Sequence, residues 1–343
     1  MEDGKYVDGS IFFYAPNKGA PVLFALAFLA SGLGHALQCR KHQSWRLTGL
    51  YVFCATIFTV GFVLREIAAY NYTNVNLYIA SVVLVYAAPP ICELANYVVL
   101  GRILYYVPHL SPIHPGRVLT TFTAISMLVE VLNANGAAYA ANTTLSASQQ
   151  KTGHALLKAS LVLQVVVIVL FLALAAVFHR RTVRAGIASK KLTGALATLY
   201  TSEALLLVRT IYRVVEYFSV AGLHYSGDAG VDPQTLSPII RYEWFFYVFE
   251  ALLMLANTVL MNMRHPRHYL PKSTKTYLGR DGVSEITGPG YKEERGFVMT
   301  LLDPFDVVGL IKGRDKQTAF WEQQQHAGAN VDAGAGRKDP EAQ

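Results

Sequence analysis

The sequence predicts an all-α polytopic membrane protein with seven transmembrane helices, an outside N-terminus and a cytoplasmic C-terminus. Of its 343 residues, 52% are hydrophobic and only 15% are charged, whereas soluble domains carry about 25% charged residues. Long apolar segments fill residues 1–263, and residues 264–343 are polar. We therefore expect a transmembrane domain over 1–263 and a largely disordered cytoplasmic tail over 264–343.

The apolar segments have the length of membrane helices. A helix needs about 20 mostly apolar residues to cross roughly 30 Å of hydrocarbon. The alternating polarity of barrel strands is absent, and helices satisfy every backbone polar group within the segment itself. Seven segments qualify, at 21–39, 47–69, 77–101, 118–140, 155–178, 194–218 and 242–262.

The loops between these segments predict the orientation. Lys and Arg are concentrated in the first, third and fifth loops, which the positive-inside rule assigns to the cytoplasm. The net charge of +7 therefore reflects membrane orientation, and we expect no nucleic acid partner. Asn71 and Asn142 begin N-x-Thr sequons in loops assigned to the outside, so both are candidate glycosylation sites.

A charged stripe interrupts the sixth segment. Arg209, Arg213 and Glu216 are spaced by four and then three residues, which places them within about 60° of one another around a helix. Because a charge that faces lipid is expensive, this stripe should face protein or a water-filled cavity. The residues expected at the same outer level are Arg65, Glu66 and Glu243. Two interpretations stay open, an ion-paired clamp between helices and an outer vestibule that binds a polar headgroup.

A second polar set lies deeper in the predicted bundle. Glu130, Glu203 and Glu250 fall near the middle of their segments, and Glu93 and Asn96 lie in the inner half of the third. We expect these carboxyl groups to have no cationic partner at the same depth. Such groups serve proton-coupled transport, bind a cationic amine, or form neutral hydrogen bonds between helices.

Motifs for other chemistries are absent. There is no Walker A sequence and no GxGxxG. A lone His35 without a His-plus-Asp set at matching depth does not form an intramembrane zinc site. We therefore expect no enzyme activity, no metal and no cofactor.

The polar pattern resembles the fungal lipid-translocating exporter family, the RTA-like seven-helix proteins linked to aminocholesterol resistance. The resemblance covers roughly residues 12–270, and VRTIYRVVEY, with Arg209, Arg213 and Glu216, is its most specific piece. Its other carriers are Tyr14, Pro16, His35, Gln38, GFVLR up to Arg65, AAPPICELANYVVLGRI around Pro89 and Arg102, and YEWFFYVFE followed by His265-Pro266. The chain departs from the family pattern at Ser126 and Asn133, where an Asp and a Gln are usual, and at Glu250, where Asp is common.

The resemblance implies a multi-pass protein of the plasma membrane, or of another fungal endomembrane, that exports an amphipathic lipid or a toxic hydrophobic compound. Its expected partners are membrane lipids and an amphipathic small molecule such as a sphingoid base or a sterol-like drug. The candidate substrate-binding or translocation residues are Arg65, Glu130, Glu203, Arg209, Arg213, Glu216, Glu243 and Glu250. The alternative is a seven-helix receptor or stress sensor that signals through its cytoplasmic loops and tail.

Overall fold

Seven long helices form one bundle in the computed structural model, which describes residues 12, 14, 16–71, 73–141, 145–187, 189–220, 237–273, 275–288, 303, 305 and 307–311. The helices are α1 (Ala20–His42), α2 (Trp45–Tyr70), α3 (Val75–Tyr106), α4 (Pro115–Ala141), α5 (Ala147–Arg184), α6 (Lys190–Val220), the short α7 (Pro238–Arg241) and α8, which joins Trp244–Phe246, Tyr247–Leu252 and Leu253–Met263. Shorter elements are 3-10 turns at Pro108–Leu110 and Pro266–His268, strands β1 (Thr276–Leu278) and β2 (Glu285–Thr287), and α9 (Val307–Ile311).

The helices pack in chain order around a ring that α8 closes against α1. α3 contacts α2 and α4 and also reaches across the bundle to α6, so α3 and α6 meet at its centre. Six of the long helices are apolar enough to cross a membrane by length and composition. The other is α6, which has 31 residues but carries Glu203, Arg209, Arg213 and Glu216.

The bundle is apolar outside, and the charged side chains of its long helices lie among the buried apolar residues of its interior. Along α1, large side chains at three- and four-residue spacing are exposed, at Leu23, Leu26, Leu29, Leu33 and Leu37. The buried charged residues of the long helices include Arg65, Glu93, Glu203, Arg209 and Glu250. Since a charge at the centre of a lipid-facing helix costs about 2.5–3.5 kcal/mol or more, the polar side chains face the interior. This arrangement confirms the predicted all-α membrane fold.

Capping residues mark the outer helix ends, and basic residues mark the opposite ends. Asn74 accepts a hydrogen bond from the Leu77 backbone N–H at the start of α3, and Ser146 forms a capping box with Gln149 at the start of α5, which satisfies backbone groups that a helix start leaves unpaired. Basic side chains occupy the last turns of α1 and α5, at Arg40, Lys41, His42, Arg181 and Arg184. By the positive-inside rule these ends face the cytoplasm.

Two helices are irregular. α3 continues through Pro89 and Pro90 without a break. α8 contains a π-helical segment, Tyr247–Leu252, which includes the buried Glu250. Such wide turns are rare and occur frequently at functional sites. The π-helical turn changes the direction in which Glu250 points relative to a regular helix.

The beginning of the tail is folded onto the cytoplasmic end of the bundle. β1 and β2 pair antiparallel with Tyr277 opposite Ile286, and Tyr277 and Leu278 are buried. Glu285 accepts hydrogen bonds from the Tyr106 hydroxyl at 3.0 Å and from Lys191 Nζ at 3.4 Å. Strands of three residues leave too short a pattern to predict, so the sequence did not indicate this hairpin. Beyond residue 288, only 303, 305 and 307–311 are described, and the prediction of disorder lies largely outside the described residues.

Candidate functional site

A partly open cavity of about 200 Å³ lies between the outer parts of α2, α3, α6 and α8. Its lining is mostly aromatic and includes six tyrosines, Tyr14, Tyr78, Tyr86, Tyr212, Tyr217 and Tyr242, together with Phe12 and Phe246. Three charged side chains, Arg65, Arg213 and Glu216, also line it. Aromatic walls with a few convergent polar groups are typical of small-molecule sites.

Arg65 and Glu243 form a buried ion pair at the wall of this cavity. Arg65 Nη2 donates to Glu243 Oε1 at 2.8 Å and to the Tyr14 hydroxyl at 2.9 Å, and its guanidinium lies 4.0 Å from the centre of the Phe246 ring. Glu243 also accepts the Asn17 backbone N–H at 2.6 Å. Both side chains are buried, so this pair ties the segment before α1 to α2 and to the start of α8.

Arg213 and Glu216 form a second pair within α6. Arg213 Nη1 donates to Glu216 Oε2, and the Tyr212 hydroxyl donates to Glu216 Oε1 at 3.3 Å. The Arg213 guanidinium lies 3.6 Å from the centre of the Tyr86 ring, within the range of a cation–π interaction. The two side chains are 15% and 18% exposed, so this pair, unlike Arg65 and Glu243, presents charged atoms to the cavity.

Arg209 and Glu250 form a third, fully enclosed pair. Arg209 Nε lies 2.9 and 2.8 Å from the two carboxylate oxygens of Glu250, and Nη2 lies 2.7 Å from Oε1. The expectation that Glu250 lacks a cationic partner is therefore wrong. Arg209 precedes Arg213 by one helical turn, about 6 Å along the axis, and reaches α8 at the level of the π-helical segment.

The expected cluster of three cations and three anions at one level is also wrong. Glu66 accepts a hydrogen bond from the Gly19 backbone N–H at 3.1 Å, which holds the start of α1. Arg209 pairs with the deeper Glu250. The charges are thus arranged as separate pairs, two at the cavity and one below it.

The deeper carboxyl groups divide into two sites. Glu203 accepts one hydrogen bond, from Asn96 Nδ2 at 3.0 Å. Glu93 accepts from Gln164 Nε2 at 3.0 Å and from the Tyr97 hydroxyl at 3.3 Å. Glu130 shares a narrow crevice between α3, α4 and α5 with Glu93, and the crevice is also lined by Ser126, Val129, Gln164 and Val167. None of the ion pairs among the described residues involves these three carboxyl groups, as expected for Glu130 and Glu203.

Sequence reasoning missed the tyrosine lining. Tyr78, Val82 and Tyr86 are spaced by four along α3 and all line the cavity, which is the spacing of one helical face. That periodicity is a usable signal, because tyrosine in membrane helices is otherwise concentrated at the two interfaces. Gln164, Ser202 and Asn257 are buried polar residues that were also not selected.

The two glycosylation candidates have different outcomes. Asn71 follows α2, and its Nδ2 donates to the Ile67 carbonyl at 3.1 Å from an exposed position. It stays a prediction. Asn142 lies outside the described residues.

The helix bundle, its inward charges and its outer cavity define a multi-pass seven-helix membrane protein. The model of one family, described as "RTA1 like protein", matches residues 51–273. The chain belongs to this RTA1-like family, which confirms the resemblance drawn from VRTIYRVVEY.

Several named relatives align with most of the chain. "Lipid-translocating exporter-like protein RTA1" of Leptosphaeria maculans is 40% identical over 90% of this chain and 60% of its own length, so the chain spans less than two thirds of that relative. A protein of the same name in Ajellomyces capsulatus is 30% identical over 77% of this chain and 82% of its own length. "Protoporphyrin uptake protein 1" of Saccharomyces cerevisiae is 30% identical over 71% of this chain and 88% of its own length. No solved structure matches the chain.

Proposed function

We propose that this protein is a transporter that moves an amphipathic lipid or a hydrophobic compound across the membrane. The observation that carries this proposal is the outer cavity, which combines aromatic walls with the accessible charges of Arg213 and Glu216 inside a bundle with an apolar exterior. The polar headgroup binds in this cavity. The two relatives named as lipid-translocating exporter-like proteins support the same class of function.

The two charges suit a polar headgroup of either sign. Arg213 offers guanidinium donors to an anionic oxygen, and Glu216 offers an acceptor to an ammonium group. The tyrosine rings add faces for cationic or aromatic groups. A headgroup that binds one partner must compete with the Arg213–Glu216 pair, so binding and opening of this pair are coupled.

The remaining candidate residues take supporting roles in this proposal. Arg65 with Glu243 and Arg209 with Glu250 hold the walls and base of the cavity, because all their charged groups are enclosed. Glu250 is engaged by Arg209 and is therefore not available to an amine headgroup without loss of that pair. Glu130 and Glu203 lie beyond the cavity, on the way toward the cytoplasm, and we assign them to the translocation path.

The proposed location is the plasma membrane. The multi-pass topology requires a membrane, and the candidate outside loop that contains Asn71 requires passage through the secretory pathway if it is glycosylated. Fluorescence of a tagged full-length chain, with an endoplasmic reticulum marker as reference, distinguishes the plasma membrane from the endomembranes.

Proteoliposomes containing the purified full-length protein test the transport itself. Two labelled lipids, one with an ammonium head and one with a phosphate-bearing head, are followed by their accessibility to a membrane-impermeant quencher. We expect protein-dependent movement of at least one of them, reduced about tenfold or more by Arg213→Gln or Glu216→Gln.

Lys151→Gln is the matched control, because Lys151 is an exposed charge on the same side, at the start of α5. It should transport like the unmodified protein. If folded protein moves no lipid and no hydrophobic dye in this assay, transport is refuted and the receptor or sensor alternative gains support. If Lys151→Gln and Arg213→Gln behave alike, the assignment of the headgroup to the outer cavity is refuted.

A further inference from the structure

A cluster of polar side chains lies at the centre of the bundle, apart from the outer cavity. Four helices contribute to it, and its members are Tyr51 of α2, Asn96 of α3, Ser202 and Glu203 of α6, and Asn257 of α8. All five are buried, at 1% exposure or less. We call these five residues the central polar cluster.

The cluster is a connected hydrogen-bond chain. The Tyr51 hydroxyl donates to Asn96 Oδ1 at 2.6 Å. Asn96 Nδ2 then donates to Ser202 Oγ at 2.8 Å and to Glu203 Oε1 at 3.0 Å. The Ser202 hydroxyl in turn donates to Asn257 Oδ1 at 2.6 Å. The chain therefore links α2, α3, α6 and α8 through neutral groups and one carboxyl group.

Two atoms of the cluster are left over. Glu203 Oε2 and Asn257 Nδ2 are buried and have no hydrogen-bond partner among the described residues. Buried polar atoms in native proteins nearly always have partners, and an exception points to a missing ligand, ion or water or to a functional role. Asn257 Nδ2 is a donor, which an acceptor such as water satisfies, whereas Glu203 Oε2 is an acceptor of a group that can be ionised and calls for a donor or a positive charge.

No residue among those that the structure describes supplies Glu203 with a compensating positive charge. α3 contributes Glu93, a second carboxyl group, and Tyr51 of α2 lies beside Cys54 and Cys92. α1 contributes His35, which stacks on Tyr51 with 5.2 Å between ring centres and directs Nε2 to the Thr258 carbonyl of α8 at 2.9 Å. On α6 itself, Arg209 is engaged by both oxygens of Glu250. An ionised carboxylate with one hydrogen bond from a neutral amide is strongly unfavourable in such a place.

We propose that Glu203 binds one exchangeable monovalent cation, either a proton or a sodium ion, at the central polar cluster. Both ligands place a positive charge at Oε2. A proton makes the carboxyl group neutral, and a sodium ion uses the carboxylate, hydroxyl and amide oxygens that hard cations prefer. Binding neutralises the buried carboxylate, and release leaves a buried charge that favours a rearranged bundle.

This site gives the proposed transporter an energy source. A cation gradient does work on the bundle if the site opens to each side in turn. This coupling rests on the proposed function, whereas binding of the cation to Glu203 does not.

Infrared difference spectroscopy on the purified full-length protein tests the binding directly. Spectra are recorded across the pH range in which the protein stays folded, and then at one pH with sodium chloride exchanged for N-methylglucamine chloride. A proton at Glu203 gives a carboxylic acid carbonyl band that disappears as pH rises. A sodium ion gives instead a shift of the carboxylate band on addition of sodium. Either signal is expected to be lost in Glu203→Gln and kept in Glu285→Gln, which removes a carboxyl group in the tail.

Other results of these measurements would overturn the cation site. If spectra of the unmodified protein and of Glu203→Gln respond identically to pH and to sodium, the proposal is overturned. If Glu203→Gln does not fold, Glu203→Asp is used instead, because it keeps the carboxyl group on a shorter side chain. The proposal then requires a shifted pH midpoint or a shifted sodium response. An unshifted response overturns the proposal. A Glu203 signal in a protein that moves neither lipid nor hydrophobic dye in proteoliposomes refutes the proposed transport and leaves the cation site standing.

Discussion

Two guanidinium nitrogens of Arg209 on α6 donate hydrogen bonds of 2.7–2.9 Å to the carboxylate oxygens of Glu250 on α8. Each side chain is at most 3% exposed. This contact ties α6, which carries the charged stripe, to the π-helical segment of the last membrane helix. It also separates the outer cavity from the central polar cluster.

Removing one member of the Arg209–Glu250 pair should destabilise the protein strongly, whereas replacing both members with apolar residues should destabilise it little. Glu250→Ala leaves the arginine charge buried without a partner, which destabilises by about 3–5 kcal/mol when one member of a buried pair is removed. The double variant Arg209→Met/Glu250→Leu removes both charges and should recover most of this loss. Unfolding of the purified proteins in mixed detergent micelles measures the stability of both variants.

Glu285→Gln is the control for this comparison, because it removes one charge of the exposed ion pair with Lys191 and keeps the oxygen that accepts from Tyr106. Exposed pairs contribute only about 0–1 kcal/mol. A loss in Glu250→Ala no greater than in Glu285→Gln would mean that Arg209 finds another partner or water when Glu250 is removed.

Binding of the lipid headgroup should depend on the ring of Tyr86 and not on its hydroxyl group. The Arg213 guanidinium lies 3.6 Å from the ring centre, and a cation–π contact at a partly buried site is worth about 1–2 kcal/mol. Tyr86→Leu should therefore release Arg213 and weaken binding of a labelled lipid headgroup about tenfold, whereas Tyr86→Phe should retain most of the affinity. Equal losses in the two variants would assign the effect to the hydroxyl.

The inward direction of the α6 stripe was predictable, but its partners were not. The high cost of a lipid-facing charge applies to each residue separately, so the spacing of Arg209, Arg213 and Glu216 was enough to place them inside. Pairing depends instead on the depth and rotation of two helices relative to each other. The π-helical segment changes the direction of Glu250 on α8, and nothing in a run of apolar residues marks such a turn.

The same dependence on helix packing explains the polar residues and the hairpin that the sequence did not reveal. Ser202 and Asn257 are small polar residues of the kind that membrane helices tolerate anywhere, and only the packing of α6 against α8 brings Ser202 Oγ within 2.6 Å of Asn257 Oδ1. The hairpin at 276–287 depends on burial of Tyr277 and Leu278 against the bundle. Its strands have no lasting alternation that would reveal it.

Close packing of α4 on α5 should be sensitive to a single methyl group. A Cβ added at Gly153 would lie 2.5 Å from the Ala140 backbone nitrogen and 2.9 Å from the Gly136 carbonyl oxygen. These backbone atoms cannot move aside cheaply, and small residues at such contacts let membrane helices approach each other. Gly153→Ala should lower stability by more than about 1 kcal/mol, since overpacking typically costs 1–3 kcal/mol.

Gly101→Ala is the matched control for this substitution. A Cβ there meets only the Pro115 carbonyl oxygen, at an ordinary 3.9 Å, and alanine favours the helix. Its unfolding midpoint should equal or exceed that of the unmodified protein. A Gly153→Ala protein as stable as Gly101→Ala would show that α4 and α5 can separate without loss.

The turn of the cytoplasmic hairpin should loosen in acid through Asp281. Hydrogen bonds from Ser284, and then from the Val283 backbone N–H, hold the pKa of the Asp281 carboxyl group below its ordinary value of 3.8. A carboxyl group with a lowered folded-state pKa stabilises the fold fully above its unfolded pKa, and this contribution is lost as pH falls through the folded value. The turn should therefore be intact at neutral pH and begin to loosen only below about pH 4. Hydrogen exchange of the Ser284 amide, corrected for intrinsic pH effects, measures this change. Its protection should fall in that range, whereas Asp281→Ala should show weak protection at every pH; an amide equally protected in both proteins at neutral pH would contradict the assignment to Asp281.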